Sequence, residues 1–354
     1  MNAQFTQHNL IFKQASGTSR GVLTTKETYL LEISENNKKG IGECAIFRGL
    51  SYDDVPDYEE KLTWLCENIH SDFEVLKKEL LHYPSIIFGL EQALLNLEHG
   101  EDLYFPSDFT DGKDSIKING LIWMGNADFM QSQIEEKLAK GFDCIKLKIG
   151  VDWKSEKEII KKLREKFPKE QLELRVDANG AFSYEEATIV LQELADLGIH
   201  SIEQPIKKSQ VKTKKSQKTD EINSTDYCAP WNEMAKLCAE TPTPIALDEE
   251  LIGIIDFEEK KKLLETIKPQ YIILKPALVG GFSGSDEWIA IAESLGINWW
   301  ITSALESNIG LNAICQYTYT KKNPLPQGLG TGALFTNNFE THLQLEGDQM
   351  WHKK

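Results

Sequence analysis

Lys146, Lys148, Asp177, Glu203, Asp248 and Lys275 are ionisable residues set in otherwise apolar runs, at intervals that suggest a repeating scaffold. Asp177 and Glu203 are 26 positions apart, and Glu203 and Asp248 are 45 apart. Setting aside the polar stretch 207–226, of roughly 20 residues, leaves about 25, close to one strand-helix unit of a (β/α)₈ barrel. Three carboxylates therefore stand on three consecutive strands, with a lysine on the strand before them and another on the strand after. Oxygen-only ligands with open positions suit a hard cation, Mg²⁺ or Mn²⁺ in its place, and fit poorly with zinc, which usually recruits His or Cys. A cation on the oxygens of a carboxylate eases removal of the proton α to it, because it stabilises the dianionic enediolate that forms. The base is then a positioned amine. Lys148 suits that role, since the like charge of Lys146 and of the cation favours its deprotonation. Lys275, across the ring of strands, serves as acid on the opposite face or as an electrostatic stabiliser.

These residues sit at the carboxyl ends of short apolar runs that alternate with amphipathic stretches from about residue 115 onward, the pattern of a parallel sheet built from strand-helix units. The pattern predicts strands over 115–124, 144–149, 173–178, 200–205, 244–249, 271–275, 298–304 and 327–331. Eight units in roughly 215 residues fit a closed barrel better than an open sheet, and in such a barrel the carboxyl ends converge on one site. A period of two puts Lys146 and Lys148 on one face of their strand, and Arg175, Asp177 and Asn179 on one face of the next. Charges inside a covered parallel sheet are costly unless they pair or bind something. Ser183 and Glu186 form a capping box ahead of a helix over 187–197.

The amino-terminal part reads as a small α+β unit: strands over 10–14, 29–34 and 40–45, then helices over 58–80 and 84–99. The second helix carries Ile87, Leu90, Ala93, Leu94 and Leu97 at helical spacing. The segment 16–21, which includes Arg20, is rich in turn formers. The expected organisation is α/β: a (β/α)₈ barrel over 115–332 and an N-terminal α+β capping domain over 1–114, with 333–354 packing back on the cap.

Several partner classes are excluded. With 39 basic against 55 acidic residues, the net charge of -16 repels nucleic acid and anionic membranes. The insertion 207–226 carries Lys207, Lys208, Lys212, Lys214, Lys215 and Lys218, but its shortness and the acidic remainder favour a solvated loop over a nucleic-acid arm. The apolar runs 271–274 and 297–301 fall far short of the roughly 20 residues that span a bilayer. Residues 1–14 carry no secretory pattern, so a cytosolic location is expected. Six cysteines without a C-x-x-C pair read as reduced buried thiols. Gly328, Gly330 and Ala333 match a dinucleotide fingerprint in form, but no strand-helix-strand unit follows. Of the seven histidines only His200 touches the strand ends, at its strand's start, so structural or surface roles are expected.

Taken together, K-x-K at Lys146 and Lys148, D-A-N at 177–179, E-Q-P at 203–205, D-E at Asp248 and Glu249, and K-P at Lys275 and Pro276 resemble the enolase superfamily in its muconate-lactonizing subgroup, over nearly the whole chain. The resemblance implies Mg²⁺ ligation by Asp177, Glu203 and Asp248, an acid/base pair in Lys148 and Lys275, and a small carboxylate substrate. Segment 301–310 is similar to the S-x-x-E-S-x-x-G segment of the subgroup's menaquinone-pathway dehydratases, as are Arg175 and the loop holding Arg20. That similarity implies substrate contacts from Lys146, Arg20, Arg175, Ser303, Glu306 and Ser307. Lys148 would take the α-proton and return it to the departing hydroxide in a syn dehydration that makes an aromatic ring, while Lys275 steadies the enediolate. The same lysines would also serve N-acylamino acid racemisation or dipeptide epimerisation, although 328–332 offers no carboxylate to a dipeptide's ammonium. A Schiff-base aldolase on Lys275 and a non-catalytic interaction barrel are the remaining readings.

Overall fold

Three antiparallel strands open the chain, in the order β1 (Asn2–Thr18), β2 (Gly21–Glu35), β3 (Lys38–Cys44). The computed structural model describes residues 1–18, 21–123, 127–209 and 231–354. β1 and β2 outrun the expected 10–14 and 29–34. Their pairing runs from Asn2 opposite Ser34 to Thr18 opposite Gly21, with a register shift between Ile11 and Ser16, and takes in polar stretches, 6–9 and 24–28, that carry no apolar alternation. Asn36 and Asn37, at φ 50° and 64°, make the two-residue primed turn into β3.

α1 (Tyr58–Asn68) and α2 (Phe73–Glu79) replace the single helix expected over 58–80. Asp72 is the reason: extended at ψ 141°, it accepts from Glu74 N and starts a second helix. α3 (Pro84–His99) lies so close on β3 that a Cβ on Gly42 would stand 2.0 Å from Gly89 O, an approach only glycine allows.

The strand expected over 115–124 is two short ones, β4 (Ile116–Lys117) and β5 (Gly120–Ile122), and its last position lies outside the described residues. From β5 the chain alternates through α4 (Ala127–Ala139), β6 (Cys144–Lys148), α5 (Trp153–Lys166), β7 (Glu173–Asp177), α6 (Tyr184–Asp196) and β8 (Ser201–Glu203). The capping box at Ser183 and Glu186 is present at the start of α6. α7 (Asn232–Glu240), β9 (Ile245–Leu247), α8 (Phe257–Ile267), β10 (Tyr271–Leu274), α9 (Pro276–Val279), α10 (Gly281–Ser294), β11 (Asn298–Ile301) and α11 (Asn308–Thr320) continue the pattern.

β5 to β11 form a parallel seven-stranded sheet in sequential order. The eighth stave, expected over 327–331, is reduced to Gln327 and Gly328. Gln327 exchanges bonds with Lys117 O and Asn119 N at 2.9 Å each, and Gly328 with Ile301 O at 2.8 Å and Ser303 N at 3.0 Å. Those four bonds close the sheet into a (β/α)₈ barrel. A terminal hairpin, β12 (Leu343–Glu346) and β13 (Gln349–His352), pairs through β13 with β4.

Strand alternation then divides the barrel. Ile145, Leu147, Leu174, Val176, Ile202, Leu247, Ile272 and Leu274 belong to the main buried apolar cluster. Ala246, Ile273 and Trp300 form a small separate cluster, on the same pleat as the charged residues. The register sets Lys146 beside Arg175, Lys148 beside Asp177, and Asp177 beside Glu203.

Candidate active site

Six strand-end charges meet as alternating ammonium and carboxylate groups. Lys148 Nζ donates to Asp177 Oδ2 at 2.9 Å and to Asn179 Oδ1 at 2.6 Å. Lys146 Nζ donates to Glu203 Oε2 at 2.6 Å and stands 3.7 Å from Asp177 Oδ2. Lys275 Nζ donates to Asp248 Oδ2 and lies 3.6 Å from Glu203 Oε1. The backbone just beyond these strands takes left-handed conformations at Asn179 (φ 44°) and Gln204 (φ 39°), the kind of strain that surrounding structure must hold in place. Gln204 is that structure on one side: its Oε1 accepts from Asp248 N and Glu250 N, and its Nε2 donates to Glu250 Oε2.

Electrostatics follow from burial and alternation. Burial alone would raise Asp177, but Lys148, Lys146 and Lys275 outweigh it and hold the carboxyl below its ordinary range. Asp248 goes the other way, pushed well up by burial and then by Glu249 and Glu203 against the pull of Lys275. Lys275 and Lys146 are desolvated, yet the facing carboxylates leave both above the usual lysine value. Glu203 Oε1 is buried without a hydrogen bond. Three buried carboxylates, one with an unused oxygen and one resisting ionisation for want of positive charge, fit a hard divalent cation as an all-oxygen donor set.

A cavity opens over this ring. Lys146, Lys148, Asp177 and Lys275 line it, with Phe47, Leu50, Leu121, Trp123 and Leu305 as an apolar wall. Glu203 and Asp248 are not among the lining residues and meet it only through Lys146 and Lys275. Gly328 is required here, since a Cβ on it would come within 2.3 Å of Thr302 Oγ1.

Of the residues expected to touch substrate, Lys146 and Ser303 line the cavity. Ser303 Oγ donates to Glu306 Oε2 at 2.5 Å and accepts from Thr331 Oγ1 at 2.8 Å. Glu306 and Ser307 are buried behind that wall, not in it: Ser307 caps α11 and donates to Glu43 Oε2 at 2.6 Å, tying β3 of the amino-terminal sheet to the barrel. Arg175 sits one pleat repeat below Asp177. There it donates to Glu173 Oε1 at 2.7 Å and Pro326 O at 2.8 Å, with its guanidinium 4.3 Å from the centre of the Trp300 ring. Arg20 lies outside the described residues, as does 210–226 of the polar insertion. Asn119, Trp123, Thr302 and Glu249 also line the cavity. Asn119 Oδ1 and Thr302 Oγ1 are buried there without a hydrogen bond. Asn119 precedes the first barrel strand inside a run read only for its apolar residues, so no motif marked it.

The enolase C-terminal domain-like family model matches residues 130–221 and 226–349, and the model of the MenC N-terminal domain matches 3–97. The chain is 42% identical to the o-succinylbenzoate synthase of Desulfotalea psychrophila over an alignment of 380 positions, covering 98% of each. The crystal structure of MenC from that organism superposes with a TM-score of 0.84 at 39% identity, covering 99% of each chain. A dipeptide epimerase from Enterococcus faecalis, complexed with Mg and the dipeptide L-Leu-L-Tyr, shares the fold at a TM-score of 0.81 and 19% identity, over 100% of this chain and 97% of its own.

Proposed function

The chain belongs to the enolase superfamily, in its o-succinylbenzoate synthase family, and from that membership we propose that it is a Mg²⁺-dependent carbon-oxygen lyase of menaquinone biosynthesis. The substrate is 2-succinyl-6-hydroxy-2,4-cyclohexadiene-1-carboxylate and the product o-succinylbenzoate. Asp177, Glu203 and Asp248 would hold the cation, which supplies charge to offset the enediolate that forms when the α-proton leaves.

Lys148 takes that proton at Nζ as the C–H electrons move toward the carboxylate. It then gives the proton to the leaving oxygen as the C–O bond breaks, so water departs and the ring becomes aromatic. One amine on one face suffices for a syn elimination. Lys275 keeps its proton and stabilises the enediolate by charge and hydrogen bonding. Lys146 and Ser303 contact the substrate from the cavity lining. The apolar wall of Phe47, Leu50 and Leu121 suits a six-membered carbon ring and keeps water from it. The single observation that carries this reading is the alternation of three lysine amines with three buried carboxylates, the amines and Asp177 lining a cavity.

Residues 1–114 act as the cap and 115–332 as the catalytic barrel; 333–354 returns to the cap where Thr336 N donates to Ile11 O at 2.8 Å, and its hairpin pairs with β4 of the barrel segment. The five described cysteines are free thiols, in keeping with the reducing cytosol. Among the described residues no helix is long and apolar enough to cross a membrane. Supplying Mg²⁺ with either the cyclohexadiene or an N-succinylamino acid separates dehydration from racemisation. Dehydration predicts aromatic absorbance with turnover well above any α-proton exchange on the amino acid, and exchange without aromatic product would overturn it.

A further inference from the structure

A second set of metal-type ligands lies apart from the cavity, where the segment after α3 meets the C-terminal hairpin. Asp102 Oδ2 is 2.6 Å from His342 Nδ1 and 3.0 Å from His352 Nε2, and the three donor atoms all lie within 4.8 Å of one another. We infer that Asp102, His342 and His352 form a site for a Zn²⁺-class divalent cation, one that clips the hairpin to the body of the chain.

The placement of His352 carries the argument. That side chain is fully buried, and its Nδ1 lies 3.2 Å from Thr110 O. A carbonyl only accepts, so Nδ1 turns its N–H to Thr110 and Nε2 is the ring nitrogen that faces Asp102 Oδ2. An imidazole that donates its other N–H to a backbone carbonyl is oriented as metal-bound histidines are.

Two further features agree. Asp102 Oδ1 is buried without a hydrogen-bond partner, so the carboxylate has acceptor capacity to spare. The His342 side chain is 43% exposed, which leaves a fourth position open to water. Two imidazole nitrogens and one carboxylate oxygen are a borderline donor set that selects Zn²⁺ over Mg²⁺. The topology gives the cation something to hold. β12 and β13 set Leu343 opposite His352, β13 pairs with β4, and β4 leads into the first barrel strand. One ion would join the exit of α3, the entry to the barrel and the carboxyl end, independently of the barrel's chemistry.

The test uses the full chain, stripped with a chelator and then saturated with Mg²⁺. Zn²⁺ is titrated in competition with a chromophoric chelator while thermal unfolding is followed in parallel. One tightly held equivalent and a raised Tm are expected. His342→Ala and Asp102→Asn should each weaken retention by at least the roughly 10- to 100-fold that loss of a mere outer-shell partner costs, with Mg²⁺-supported turnover unchanged. Asp177→Asn should retain the zinc. Zinc uptake that survives His342→Ala and Asp102→Asn but vanishes in Asp177→Asn, or no uptake by the unaltered chain, would overturn the inference.

Discussion

At the scale of single residues, the account turns on which charge holds which. In the proposed dehydration Lys275 stabilises negative charge, and the facing Asp248 and Glu203 carboxylates favour its protonated form. Lys275→Ala should lower kcat by about 10²- to 10³-fold, the cost of losing one oxyanion donor, with a smaller effect on KM. Steady-state kinetics reads that split directly. Asn119 makes the complementary case. Its Oδ1 is buried at the cavity without a partner, so the folded chain already bears the desolvation cost of that atom. Asn119→Leu should therefore raise KM while leaving Tm equal or higher, a pairing that distinguishes a group reserved for substrate from one that supports the fold. The six ring charges were legible in sequence because they break the apolar rule of a buried parallel strand. Arg175 obeys the same alternation as Asp177 but lies one repeat lower, where it is held by Glu173 and Pro326.

At the scale of elements, α3 and α10 are joined by one carboxylate. Glu91 Oε2 accepts from Phe282 N at 2.5 Å, and Glu91 Oε1 from Ser283 N at 3.2 Å, at the start of α10. Burial is the larger influence and pushes the Glu91 carboxyl up to about 7, against the pull of those donors. A folded-state pKa above the unfolded value of about 4.3 means that the folded chain favours the protonated form. Its contribution to stability is complete below about pH 4 and is lost as pH rises through 7. Glu91→Gln should accordingly flatten the fall in Tm between pH 5 and 8, measured by thermal melts across that range, and an unchanged slope would count against it. Helices and most strands follow from periodicity, whereas the eighth stave, expected over 327–331, is only Gln327 and Gly328: they close the barrel with backbone bonds and with Gln327 Oε1 accepting from Ile301 N at 2.8 Å, and two residues make no pattern. The single helix expected over 58–80 failed for a similar reason, since one aspartate at Asp72 outweighs an otherwise continuous amphipathic run.

At the scale of the whole molecule, the catalytic ring belongs to the barrel but its cavity does not belong to it alone. Phe47 and Leu50 come from the segment after β3, and Glu43 of β3 binds Ser307 Oγ and Gly310 N at the start of α11. Contacts of this kind join residues more than 260 positions apart, and neither composition nor local spacing encodes them. The Asp102, His342 and His352 cluster likewise joins residues 240 and 250 positions apart. The claim on which the rest depends is that Lys148 moves the proton while the three carboxylates of its ring hold the cation. Turnover of the cyclohexadiene by Mg²⁺-loaded Lys148→Ala, beside calorimetric Mg²⁺ affinity for the same protein, tests it most directly. The account predicts a loss of about 10²- to 10⁴-fold in kcat with Mg²⁺ binding intact, and turnover within a few-fold of the unaltered enzyme would contradict it.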